Sequence, residues 1–78
     1  MDLDELSSEL SRLGIDPSRY SLNGGRPEDG FAVKREGREW IVYYSERGGR
    51  FDIEKFSTAD GAYRDLLSRL TGGAGRSD

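Results

Sequence analysis

The chain has no cysteine and no histidine among its 78 residues. The absence of cysteine excludes a secreted scaffold held together by disulfides, and it removes the thiolate nucleophile. The absence of histidine removes the commonest general base and the commonest metal ligand. We therefore expect a protein that is not an enzyme, that uses no cofactor and no metal, and that functions in a reducing cytoplasm.

Long apolar runs are also absent, since no stretch approaches the ~18 consecutive apolar residues of a membrane span. The first residues, Met1-Asp2-Leu3-Asp4-Glu5, are acidic where a signal peptide would be basic. The formal net charge is -3, and residues 1–18 alone carry five acidic side chains against the single Arg12. We expect a soluble cytoplasmic protein whose acidic end repels nucleic-acid phosphates.

Leucines recur at three- and four-residue spacing near the start of the chain: Leu3, Leu6, Leu10 and Leu13. This spacing predicts an amphipathic helix. Asp2 and Glu5 stand at the spacing of a capping box, and Gly14 is placed to end the helix in a left-handed conformation.

A connector is expected over residues 15–30, with turn signals at Asp16-Pro17, Asn23-Gly24-Gly25 and Arg26-Pro27. Within it, Tyr20 and Leu22 are expected to hold the connector on the core. At the other end of the chain, residues 72–78 lack any apolar side chain large enough to pack, which predicts a disordered tail. Residues 1–71 then form a single domain.

From Gly30 onward apolar and polar residues alternate, which predicts three antiparallel strands at residues 31–36, 39–45 and 50–56. One face of this meander is expected to be dry: Phe31, Val33, Trp40, Val42, Tyr44, Phe51 and Ile53. The other is mixed and exposed: Ala32, Lys34, Glu39, Ile41, Tyr43, Asp52 and Glu54, with Phe56 near its end. Such alternation is typical of an antiparallel sheet covered on one side.

Two hairpin turns, at Glu36-Gly37 and around Gly48-Gly49, fix the expected register. They set these residues opposite each other: Val33 and Trp40, Phe31 and Val42, Tyr44 and Ile53, Ile41 and Phe56.

A second helix is predicted over residues 59–70, with Ser57 and Asp60 as its capping box. The fold class is therefore α+β, in the order α-β-β-β-α, a three-stranded antiparallel meander with two helices on one face. Double-stranded RNA-binding domains share this order, but they carry a lysine cluster at the start of the last helix. Residues 56–62 have no basic side chain, so we expect no nucleic-acid binding.

Apolar side chains on the mixed face suggest a contact surface. Ile41 and Tyr43, together with Glu46, Arg47 and Arg50 of the second hairpin, are the predicted partner-binding residues. The alternative is that Ile41 and Tyr43 only strengthen cross-strand pairs. Both interpretations remain open at the level of sequence.

Three segments carry a family resemblance: Tyr20-Ser21-Leu22-Asn23-Gly24-Gly25 with Glu28, Trp40-Ile41-Val42-Tyr43-Tyr44-Ser45-Glu46-Arg47-Gly48, and Phe56 before the closing helix. Together they resemble small immunity-type proteins of bacterial polymorphic-toxin loci, encoded near necrotizing-toxin-like NAD-glycohydrolase toxins. The resemblance covers roughly residues 12–70 and assigns no contact residues. It implies a non-enzymatic inhibitor that binds a partner toxin inside the producing cell.

The leading hypothesis is thus a protein-binding module, an immunity protein that neutralises a toxin domain and is a monomer or weak homodimer. The alternative is a structural module that self-associates through a free strand edge at residues 31–36 or 50–56. A double-stranded RNA-binding-like module is the third candidate.

Overall fold

The computed structural model describes residues 1–22 and 29–72, and the fold is α+β. Its elements in chain order are helix α1 (Leu3–Arg12), a 3-10 turn (Pro17–Arg19), strands β1 (Tyr20–Ser21), β2 (Asp29–Glu36), β3 (Glu39–Glu46) and β4 (Gly49–Phe56), and helix α2 (Ala59–Leu70). The turn signals expected at residues 23–27 and the tail expected at residues 73–78 lie outside the described residues.

The predicted ends of α1 are confirmed. The Asp2 side chain accepts a hydrogen bond from the Glu5 backbone N–H at 2.8 Å, and the Glu5 carboxylate accepts from the Asp2 N–H at 2.9 Å. At the other end Gly14 adopts a φ of +73°, and the Ile15 N–H donates to the Leu10 carbonyl. This is the glycine-dependent helix end that the sequence predicts.

The sheet has four strands in the order β1-β2-β3-β4, which corrects the three-stranded prediction. Strands β2, β3 and β4 form the expected antiparallel meander, and β1 pairs in parallel with β2. Buried Gly30 permits this pairing, because a Cβ atom there would overlap the carbonyl oxygen of Arg19, just before β1. Such a two-residue strand carries too little pattern to be predicted from sequence.

The first hairpin turns at Gly37-Arg38, one residue later than expected. Val33 therefore lies opposite Val42, not Trp40, and Phe31 lies opposite Tyr44. The register error is two residues, so every side chain of β2 and β3 keeps its predicted face.

The second hairpin turns at Arg47-Gly48, one residue earlier than expected. Both residues have positive φ, as a two-residue turn of this hand requires. Tyr44 lies opposite Phe51, so the predicted pair with Ile53 is wrong. A bulge follows: Asp52 has a φ of +54°, and the register shifts by one residue across Tyr43.

The bulge changes which β4 residues reach the core. Beyond it Phe56 pairs with Trp40 and packs against the main core, so its predicted place on the mixed face, opposite Ile41, is wrong. Ile53 and Phe51, predicted on the dry face, are 47% and 50% exposed. One extra residue in a strand reverses the alternation after it, which explains the positions of Ile53 and Phe56. Phe51 precedes the bulge and keeps its place opposite Tyr44, on the edge strand.

The main core joins both helices to one face of the sheet, here called the helix side. Its buried members are Leu6, Leu10, Val33, Val42, Ala62, Tyr63, Leu66 and Leu70. Trp40 packs edge-on against Tyr63 with ring centroids 5.6 Å apart.

The N-cap of α2 is Thr58, whose hydroxyl accepts from the Gly61 N–H, so the predicted Ser57 cap is displaced by one residue.

The opposite face of the sheet, here called the far side, is closed where the sequence predicts it open. Ala32, Ile41 and Tyr43 form a second buried cluster there, with Ile41 2% exposed and Tyr43 fully buried. The expectation that Ile41 and Tyr43 face solvent is therefore wrong, although the strand parity behind it is correct.

Neither described helix has the length and apolar character that a bilayer crossing requires.

Candidate protein-binding site

Strand β4 forms one edge of the sheet and is open, since among the described residues it pairs only with β3. Its residues from Arg50 to Lys55 are all exposed. Two are large and apolar, Phe51 and Ile53, and they flank the bulged Asp52. Large apolar side chains exposed together on an edge strand are typical of a surface that contacts another molecule.

A groove runs between β4 and the C-terminal half of α2, with a volume of about 780 Å³. It is apolar at Phe31, Ile53 and Phe56, and charged at Asp52, Glu54, Asp65 and Arg69. The bulge positions two of these charges beside Ile53, because it turns the strand at Asp52. The groove therefore combines aromatic contact area with polar groups along its rim.

Arg69 is the most enclosed charged side chain of the groove, with 9% of its side chain exposed. Its Nε lies 2.8 Å from Oδ2 of Asp65, and its guanidinium lies 5.8 Å from the centroid of the Phe31 ring. Within the described part of the chain, the buried Nη1 atom has no hydrogen-bond partner. Asp65 Oδ2 is close to Arg69 but not aligned for a hydrogen bond, so it is unsatisfied as well.

Acidic side chains outnumber basic ones both in the groove and on the surface of α1. Asp52, Glu54 and Asp65 outnumber Arg69 in the groove. On α1 the Arg12 side chain hydrogen-bonds Glu9 and holds the pKa of that carboxyl below its usual value. The field of these surfaces favours a cationic partner.

The five residues predicted as the partner-binding site do not form one exposed surface. Ile41 and Tyr43 are buried on the far side, and the Arg50 guanidinium covers the Tyr43 ring. Half-buried Glu46 ends β3 opposite Gly49, and Arg47 is exposed in the turn.

The position of Arg50 also explains how the far side closes. Arg50 Nη1 lies 3.4 Å from Oε2 of Glu36, at the far end of the neighbouring hairpin. Their partners on β3, Ser45 and Glu39, are six positions apart. In a flat sheet that separation would be about 20 Å. The reach of the two side chains spans part of this distance, and we infer that curvature of the sheet over Tyr43 spans the rest.

Comparisons with protein-family models, with curated proteins and with solved structures find no significant match to this chain. In the described residues, no group of three or more Asp and Glu side chains is arranged to hold a metal ion.

Sequence reasoning missed the groove, because it assigned Phe51 and Ile53 to the core. One feature of the sequence could have indicated the bulge. Aspartate tolerates the left-handed backbone better than most residues, and Asp52 interrupts an otherwise apolar pair within a strand.

Proposed function

We propose that this chain is a non-enzymatic protein-binding module, an immunity-type inhibitor that neutralises a partner toxin domain by direct binding inside the producing cell. The observation that supports it best is the exposure of Phe51 and Ile53 on the open edge strand β4, beside the groove. An apolar centre surrounded by charged side chains has the composition of a protein interface.

The proposed surface differs from the one expected from sequence. Ile41 and Tyr43 are enclosed, so they support the hairpin and do not touch a partner. Phe51 and Ile53 take their place as the apolar anchors, while Arg47 remains exposed in the adjoining turn. The site thus stays on the second hairpin, with its contact residues moved from β3 to β4.

The charge of the chain suits this role. The acidic α1 and the acidic groove create a field that accelerates the approach of a basic surface. Electrostatic complementarity of this kind mainly raises the association rate and selects the partner. The apolar anchors then supply the affinity.

The test is titration calorimetry with the toxin domain encoded by the adjacent gene, using a Phe51→Ser/Ile53→Ser variant. We expect the double substitution to weaken binding by about 2 kcal/mol or more, or roughly 30-fold, because it removes both anchors. If that domain hydrolyses NAD, stoichiometric inhibition should weaken in parallel.

A matched control is available at the two ends of α1, where Leu3 is the first residue and Leu13 is the C-cap. Leu3 and Leu13 are 45% and 43% exposed, close to the values of Phe51 and Ile53. A Leu3→Ser/Leu13→Ser variant removes similar apolar area away from β4 and should leave the affinity within twofold. Equal losses in both variants, or no binding of the unaltered chain, would reject the proposed surface or the proposed function respectively.

Self-association through the same edge is the second candidate, because an exposed strand with apolar side chains can pair with a second copy. The bulge at Asp52 and the adjacent charges of Glu54 and Lys55 counter it, since both features discourage strand-to-strand pairing. Sedimentation at several concentrations separates the two. A concentration-dependent dimer that the Phe51→Ser/Ile53→Ser variant abolishes would favour self-association.

A further inference from the structure

We propose that the groove between β4 and α2 binds an extended, basic segment of the partner protein, with a main-chain carbonyl of that segment accepting a hydrogen bond from Arg69 Nη1. This inference rests on the proposed function and names the chemistry of the partner. The segment places an apolar side chain against Phe31, Ile53 and Phe56. Its lysine or arginine side chains pair with Asp52 and Glu54.

Within the described residues, the Nη1 atom of Arg69 is buried and has no hydrogen-bond partner. Buried polar groups in folded proteins are almost always hydrogen-bonded, and each exception calls for an explanation. Arg69 Nη1 is such an exception among the described residues, on a side chain only 9% exposed, at the wall of an open groove. Because the atom itself is buried, an acceptor on a bound segment would satisfy it as the guanidinium turns toward the groove.

The charge balance of the groove decides which acceptor fits. Three carboxylates, Asp52, Glu54 and Asp65, stand against the single guanidinium of Arg69. A carboxylate ligand would meet net repulsion there, whereas a neutral main-chain carbonyl would not. The same excess of negative charge attracts the cationic side chains of the segment.

The shape and lining of the groove indicate an extended segment. Successive side chains of an extended chain point to opposite sides, so apolar residues can face the groove while basic residues face its rim. Phe31, Ile53 and Phe56 provide the apolar contacts. A second copy of this chain fits less well, since each copy carries a net charge of -3.

The experiment is an NMR titration of the isotope-labelled full chain with a capped hexapeptide of alternating valine and lysine. We expect shifts at groove residues and at the Nε–Hε resonance of Arg69. The Arg69→Met variant should bind about tenfold more weakly or worse, because a hydrogen bond from a charged donor is lost. The Arg64→Met variant removes an equal charge from the exposed side of the same helix and should bind with unchanged affinity.

Two further variants keep the proposal testable if Arg69→Met destabilises the fold. Arg69→Met/Asp65→Leu removes the ion pair as a unit, so no buried charge is left unpaired, and it should also lose affinity. Glu54→Gln keeps the groove intact and should weaken binding of the lysine peptide by a factor of two to five, with the difference shrinking at high salt. Thermal melts establish that each variant is folded.

Four results would overturn the proposal. They are equal affinity in Arg69→Met and the unaltered chain, tighter binding of a peptide with glutamate in place of lysine, shifts confined to residues outside the groove, and binding seen only after deletion of residues 73–78. The last would assign the groove to the chain's own end. If the toxin domain depends on Phe51 and Ile53 but not on Arg69, the proposed function stands and this inference falls.

Discussion

The Arg50 guanidinium lies 4.7 Å from the centroid of the Tyr43 ring, on the face of the sheet turned away from the helices. This contact places a cation over a buried aromatic ring, an arrangement worth roughly 1–2 kcal/mol when it is shielded from water. It also converts the predicted binding face into a second, smaller core. A binding surface on this hairpin would then have to use other residues, as we propose for β4.

Tyr43→Ala should therefore act on folding. We expect it to lower the free energy of unfolding by about 3–5 kcal/mol, because it empties a fully buried aromatic site. Urea denaturation measures the change. Phe51→Ala, on the adjacent strand and 50% exposed, is the control and should cost less than about 1 kcal/mol. Equal and small losses in both variants would show that the far side is open.

The bulge in β4 predicts opposite effects for two substitutions at one position. Asp52 has a φ of +54°, where a β-branched residue is strained and glycine is not. Asp52→Val should destabilise the chain by about 1–2 kcal/mol, whereas Asp52→Gly should be neutral or slightly stabilising. Thermal unfolding of the pair measures the difference. A more stable valine variant would mean that β4 is regular and has no bulge.

Gly30→Ala tests the pairing of β1. The added methyl group would overlap the carbonyl oxygen of Arg19, so the segment before β1 must move. We expect a loss of about 1–3 kcal/mol, with faster hydrogen exchange at the amides of Tyr20 and Ser21. Unchanged exchange at these two amides, with no loss of stability, would contradict the parallel pairing of β1 with β2.

Asp60 predicts how stability depends on pH. Its carboxylate accepts hydrogen bonds from the Met1 ammonium and from Arg64, and these bonds hold the pKa of Asp60 below its ordinary value. A carboxylate with a lowered folded pKa contributes stability above its unfolded pKa of about 4, and that stability is lost as the pH falls through the folded pKa.

The Asp60→Asn variant should accordingly lose stability near neutral pH and depend less on pH below about pH 5. Acetylation of the Met1 amine should also reduce the dependence of stability on pH, because it removes one of the two hydrogen-bond donors to Asp60. A part of the acid sensitivity should remain, since the backbone N–H of Ser18 lowers the pKa of Asp16. Denaturant midpoints measured between neutral pH and about pH 3 test both the Asp60→Asn variant and the acetylated chain. If the stability of Asp60→Asn falls with pH as steeply as that of the unaltered chain, Asp60 is not paired in solution.

Local signals along the chain predicted much of this fold. Four leucines, the Asp2 cap and Gly14 were sufficient to define α1, because a helix depends on neighbours a few residues apart. The faces of β2 and β3 also followed from alternation alone. The second helix was predicted at its observed limits, Ala59–Leu70.

What failed depended on contacts distant in sequence or on a single backbone angle. The only local signal for the bulge was an aspartate between two apolar residues, and the left-handed Asp52 moved Ile53 outward and Phe56 inward. The contact between Arg50 and Glu36 joins residues 14 positions apart on different strands, so closure of the far side could not be inferred from alternation. Both features shape the candidate site, which explains why the site was predicted less well than the fold.

Hydrogen exchange of the chain, free and mixed with the proposed partner domain, tests the central claim most directly. If β4 is the binding strand, amides of residues 49–56 should exchange more slowly in the complex, together with those near Arg69, while amides of α1 stay unchanged. Protection confined to α1 or to the turn at Arg47-Gly48, with residues 49–56 exchanging as in the free chain, would contradict the account.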